Sequence, residues 1–215
     1  MKRIKERLGG LFSGKPKVFA VAAPFTAIER RPVADICRES ALQEEARPYL
    51  RGDSTAETFL EQLVRADLRV DAVRFLAYAL PEREAVRWAC LCVREVPACC
   101  AAPTSVEALV AAETWVERPD PACRDAALEA GRRQEFQGPA AAAAWAAMAA
   151  GWSGGISAAA AGEAPAVPTG GLSAHAAAGA ILLAASADLD GAARACREFL
   201  ELGVRIAQGR DRAPP

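Results

Sequence analysis

Beyond Lys17 the sequence contains no lysine at all. That absence excludes from the rest of the chain a P-loop lysine on nucleotide phosphates and a Schiff-base lysine. Histidine is nearly as scarce, and the single His175 excludes H-E-x-x-H and every multi-histidine metal site. Neither a G-x-S-x-G nucleophile elbow nor a G-x-G-x-x-G phosphate turn occurs. Basic excess is missing too: the net charge is −1, which argues against a general nucleic-acid binder. No apolar run reaches the ~20 residues of a membrane-spanning helix. The alanine-rich stretches 139–152 and 173–187 are shorter and only mildly hydrophobic. Carboxylate-pair or thiol chemistry survives these exclusions, as does a protein with no chemistry of its own.

What the chain has in abundance is alanine, roughly a quarter of its residues. Alanine has the best helix propensity, so an all-α fold is expected, and 215 residues suit a single compact domain of about eight to ten helices. The centre of that fold is read in residues 68–96. Leu68, Ala72, Phe75, Leu76 and Ala79 recur at helical spacing, with Val73, Ala77 and Leu80 making a second apolar face. Leu80 precedes Pro81, which pushes it out of the α region, so the first helix ends there and Pro81 opens the second. Ala85, Trp88, Ala89, Cys92, Val93 and Val96 form the inner face of that second helix, and Glu84, Arg87, Arg94 and Glu95 the wet one. Phe75, Leu76, Leu80, Pro81, Trp88 and Ala89 are the expected structural core.

The remaining organisation follows from caps and breakers. Residues 1–17 carry all four lysines and a net charge of +5, and read as a mobile basic arm. Ile4, Leu8, Leu11 and Phe12 share one helical face within it, so docking onto an anionic membrane surface is the functional alternative to a frayed terminus. A helical domain is expected over 18–208, followed by a disordered tail at 209–215. Within the domain, helices are predicted near 32–41 and 44–50. Ser54 with Glu57, and Thr104 with Glu107, read as capping boxes. Asp120-Pro121 reads as an N-cap with proline at N1. Gly138-Pro139 opens an alanine-rich helix bearing Trp145, Met148 and Trp152, and Ser173 caps the next. Asp188 or Asp190 caps the last, whose Ala193, Cys196, Leu200, Val204 and Ala207 face inward. Residues 153–172, rich in glycine and proline, form the one long irregular loop. The succession of helix pairs permits a loose helical array.

Seven cysteines without a regular framework point to free thiols and a cytoplasmic protein. A basic leader followed by VFAVAAPFTA is the competing sign of secretion, but Pro24 interrupts the apolar run and no clean cleavage site ends it. Cys90-x-Cys92 with Cys99-Cys100 invites a zinc site, yet residues two apart on a helix project to different sides. Cys99 and Cys100, in a proline-bounded turn, are the expected exposed thiols. Whether Cys99, Cys100 or Cys123 approaches His175 in space is open at this stage. No catalytic residue, cofactor or metal is assigned. Trp88 and Trp115 are expected core anchors, while Trp152 beside Ser153, Gly154 and Gly155 is the candidate partner-binding surface.

FLAYALPEREAVRWAC and the later AAAWAAMAAGWSGG resemble an uncharacterised family of bacterial all-helical proteins. That family carries an FLA-x-ALP-x-REAV-x-WA phrase and an alanine-rich A-W-A-x-M-A-x-x-W-S-G-G phrase. The resemblance implies a helical fold and, for some members, a place near type VI secretion genes. It brings no catalytic residue. The leading expectation is therefore a non-enzymatic helical adaptor or chaperone-like accessory that holds another protein, possible partners including a secretion component. The alternatives are an enzyme using a thiol or carboxylates near the 153–172 loop, and a peripheral membrane protein docking through residues 1–17. A convergent pocket of ionisable groups would favour the enzyme, and an exposed apolar groove the adaptor.

Overall fold

The computed structural model describes residue 21 and residues 23–28, 31–134, 137–154 and 171–211. The expected basic arm at 1–17, Gly155 and nearly all of the 153–172 loop lie outside these residues, as does the tail beyond residue 211.

Nine α-helices and two 3₁₀ segments account for the regular structure among the described residues, with no strand. They are α1 (Val33–Glu39), α2 (Ala56–Arg65), α3 (Arg69–Ala79), α4 (Glu82–Arg94), α5 (Pro103–Glu117), α6 (Pro121–Arg132), α7 (Ala141–Gly151), α8 (Leu172–Ala185) and α9 (Ala192–Ala207). The 3₁₀ segments are Glu44–Tyr49 and Pro97–Cys100. The fold is all-α, as the composition implied.

Alanine does more than favour helix here. Every residue of α7 except Trp145 is buried, and α8 is buried along most of its length. Small side chains let backbones approach closely. A Cβ on Gly151 would lie 2.6 Å from Leu128 Cβ, so α6 and α7 meet where only glycine fits. The central pair α7 and α8 runs antiparallel. Ser173 Oγ, at the start of α8, donates 2.8 Å to the Ala149 carbonyl near the end of α7. Helices α3, α4, α5 and α6 pack around this pair, and α9 closes the side of α3, α4 and α8.

Phe75, Leu76, Trp88 and Ala89 have no exposed surface, Leu80 has almost none, and Pro81 is half-buried. Trp88 Nε1 donates 2.8 Å to the Phe199 carbonyl, tying α4 to α9. Leu80 is extended (ψ 148°), as its place before proline requires. Pro81 is the N-cap of α4 rather than its first residue.

The sequence reading of that pair needs one correction. Glu84 and Arg87 were expected on a wet face, but their side chains are only 13% and 19% exposed and pair with each other. Arg87 also donates to the Asp211 carbonyl, and Asp211 Oδ2 accepts from Arg205 Nε at 3.1 Å. Residues 208–211, which follow α9, bring Asp211 onto this face.

Several caps also differ from expectation. Thr55 and Thr58 form the capping box of α2, while Ser54 Oγ accepts from Arg51 N and Glu57 accepts from Phe25 N at 2.7 Å. Helix α2 starts one residue later than Ser54 would allow, and its Glu57 is recruited by the segment 21–28. That same segment bonds the end of α9 through Thr26 N and Ala27 N to the Ala207 carbonyl. Helix α5 begins at Pro103 without a side-chain cap, so Thr104 lies inside it. Ser173 is the second residue of α8, its hydroxyl committed to α7 rather than to its own helix. Helix α9 starts after Gly191 with neither Asp188 nor Asp190 capping it, and Ala193 faces solvent. The Asp120 cap is as read: its Oδ1 accepts from Cys123 N at 2.8 Å.

Candidate functional site

Three element ends meet at one place. The first is the start of α4, where Glu82 extends its carboxylate away from the helix. The second is the turn from α5 to α6, carrying Pro119, Asp120 and Pro121. The third is the end of α7, where Trp152, Ser153 and Gly154 leave the helix. Glu82 Oε2 accepts from Gly154 N at 2.8 Å, a bond across 72 residues. The two phrases that carry the sequence resemblance are thereby joined in space.

Each participant is held by its own local chemistry. Arg83 Nε donates 2.7 Å to the Val116 carbonyl, fixing the end of α5 against the start of α4. Ser153 is buried and its Oγ donates 2.7 Å to the Ala150 carbonyl, which also accepts from Ser153 N, closing the end of α7. Gly154 turns the chain at φ +71°, in the left-handed region that favours glycine. The Cys123 N–H holds the Asp120 carboxyl below its ordinary range.

Together these parts line an open cleft of about 230 Å³, with Trp115, Pro119 and Pro121 as its apolar wall and Glu82, Asp120 and Arg124 as its charges. Trp152 stands beside it, half-buried, its ring edge-to-face with Trp145 at 6.2 Å. The candidate residues Trp152, Ser153 and Gly154 are therefore neighbours of one cleft. Ser153 and Gly154 line it, and Trp152 packs behind.

The thiols take different places from those expected. Cys99 is fully buried and Cys100 half-buried, because the 3₁₀ turn that carries them tucks against α4, α5 and α7. Burial pushes Cys99 up to about 12 and Cys37 and Cys196 up to about 11. Cys90, Cys92 and Cys100 are raised by burial as well. Such thiols are poor nucleophiles at neutral pH, because the thiolate is the reactive form. Cys123 is the thiol nearest the cleft, with Sγ 3.2 Å from Arg118 Nη2 and 3.5 Å from Asp120 Oδ2. His175 is exposed on α8 with Trp145 as its ring neighbour, centroids 6.4 Å apart. Among the described residues no group of three or more His, Cys, Asp or Glu is placed to hold a metal ion.

Glu82, Asp120 and Arg124 were not singled out as a site in the sequence. Asp120 reads in the sequence only as a cap. The convergence of the three comes from the packing of α4, α6 and α7, which no local pattern encodes.

The fold and cleft define an all-helical domain built around a buried alanine-rich helix pair. Within that class a family model matches residues 59–207, and the chain belongs to DUF6931, a family of unknown function. No curated protein and no solved structure matches the chain. Among the described residues no helix is long and apolar enough to cross a membrane.

Proposed function

We propose that this DUF6931 member is a non-enzymatic helical interaction module, an adaptor or chaperone-like accessory that holds a partner protein at the cleft between α4, α6 and α7. The supporting observation is the cleft's size and the employment of its acids. At about 230 Å³ it falls below the ~300–1,000 Å³ of small-molecule sites, and it suits one protruding side chain of a protein partner. Ionisable groups do converge there, the feature that would favour an enzyme. Glu82, however, is engaged by Gly154 N and Asp120 by Cys123 N, so both carboxylates serve as caps and staples rather than as poised acid and base. Trp115 supplies a rigid aromatic wall of the kind that commonly anchors interfaces, and the half-buried Trp152 stands beside the cleft.

The working location is the cytoplasm, and a secretion-system component is the partner class that the sequence resemblance suggests. The test is partner recovery on tagged protein expressed in its source cells. Arg124→Glu, which reverses a cleft charge, is expected to reduce recovery at least tenfold in protein shown by its melting transition to be folded. Equal recovery by wild type and Arg124→Glu would remove the cleft as the docking site.

A further inference from the structure

A second cleft, sharing no residue with the first, opens between α1, the 3₁₀ segment Glu44–Tyr49 and the start of α2. Its volume of about 420 Å³ falls within the range of small-ligand sites. The wall is apolar: Ala34, Leu42, Ala46 and Leu50 surround it, and Phe59 lies at its base. Phe59 is fully buried and packed edge-to-face on Phe75 at 4.9 Å, so the base is fixed to the core. Burial raises the Cys37 thiol to about 11, so this side chain also presents a neutral, weakly polar surface. Ala41, held at φ +47°, turns the chain so that α1 and the 3₁₀ segment face each other.

Among the described residues, the charged ones that line this cleft are two arginines, Arg38 and Arg47. Both side chains are more than 70% exposed and mark the rim. Asp35 contacts Arg38 at 2.6 Å and Glu44 contacts Arg47 at 3.0 Å, but neither acid belongs to the lining. A guanidinium has five N–H donors in a planar fork, so one exposed pair leaves donors for a second carboxylate, and exposed pairs of this kind exchange partners at small cost. An apolar pocket with cations only at its mouth complements one chemistry: an apolar body ending in a single anionic head.

From this arrangement we infer that the cleft binds a small amphiphilic carboxylate, its aliphatic chain against Leu42 and Leu50, above the buried Phe59, and its carboxylate between Arg38 and Arg47. All of the lining except Phe59 precedes the residues matched by the family model, so this site is built on the family's core by the chain's own N-terminal helices. It stands independently of the proposed partner cleft.

The test is isothermal titration of the purified full-length chain with octanoate below its micellar concentration, and with 1-octanol as the uncharged probe. Octanoate is expected to bind saturably at one site and at least tenfold more tightly than octanol. Arg38→Gln with Arg47→Gln should abolish that preference by weakening octanoate alone. Ala34→Phe, or Ala34→Leu if the ring unfolds the chain, should fill the cleft from its exposed rim and weaken both probes at least tenfold. Absence of saturable octanoate binding, an unchanged preference in the double arginine variant, or unchanged affinity in the folded Ala34 variant would each overturn the inference. Arg124→Glu should leave octanoate binding unchanged, which separates failure here from failure of the partner cleft.

Discussion

Truncating Trp88 to alanine should destabilise the protein by about 3–5 kcal/mol, the range for emptying a buried aromatic site. The indole has no exposed surface, and its Nε1–H is bonded to the Phe199 carbonyl, so both packing and a buried donor are lost. In a chain of this length roughly 2–4 °C of melting temperature corresponds to each kcal/mol. The melting midpoint should therefore fall by about 6–20 °C. The site offers a sharper second measurement. A Cβ built on Gly203 would lie 2.6 Å from Trp88 Cε2, 2.7 Å from Cζ2 and 2.8 Å from Leu76 Cδ2. Gly203→Ala should then cost about 1–3 kcal/mol by overpacking, since the indole has no free space into which to yield. Trp88→Phe removes the benzo ring from that contact and relieves part of the clash. The double variant should accordingly be less destabilised than the two single variants combined, with a coupling of about 0.5–3 kcal/mol. Thermal or urea unfolding of the four proteins gives all of these quantities. A Trp88→Ala melt within a degree or two of wild type, or strictly additive effects of Trp88→Phe and Gly203→Ala, would refute the placement of Trp88 at the α4–α9 contact.

Three further predictions test separate parts of the structure. Thr55→Ala should cost about 1 kcal/mol through loss of the α2 cap, whereas Ser54→Ala should cost much less; equal effects would reject the assigned cap. The buried thiols make stability fall at alkaline pH. Their folded pKa values lie above the ~8.5 of an unfolded cysteine, so their contribution is full below about pH 8.5 and is lost as pH rises through 11 and 12. Cys196→Ala should lose less stability between pH 8.5 and 10.5 than wild type, and an equally steep loss would show that thiol burial is not the cause. Trp152→Ala removes an edge-to-face partner of Trp145 and should cost about 0.5–1.5 kcal/mol beyond its lost burial; a melt identical to wild type would place the ring outside that contact.

The helical class and the α3–α4 pair were legible because they depend on short-range signals. Apolar residues three and four apart and a proline after Leu80 locate α3 and α4 without tertiary information. Caps were less legible where a side chain had a stronger use elsewhere. Glu57 binds Phe25 N instead of closing a box with Ser54, and the Ser173 hydroxyl reaches Ala149 rather than its own helix. The proline-bounded turn of Cys99 and Cys100 reads as exposed, yet its neighbours α4, α5 and α7 cover it, a fact of packing rather than of pattern. The same limit applies to the cleft. Ser153 and Gly154 stood out because tryptophan followed by serine and glycines marks a helix end. Their partner Glu82 lies 72 residues earlier, and only the close approach of α6, α7 and α4 brings the two together.

The central claim, that a partner docks at this cleft, is tested most directly by site-specific photocrosslinking in the source cells. A photoreactive phenylalanine analogue at position 124 is compared with one at Leu189. Leu189 is the most exposed large apolar residue described and lies beyond the far end of α8, whose 14 residues span about 21 Å. The account predicts one discrete protein adduct from position 124 and none from position 189. No adduct from position 124, or the same adduct from both positions in folded protein, would contradict it.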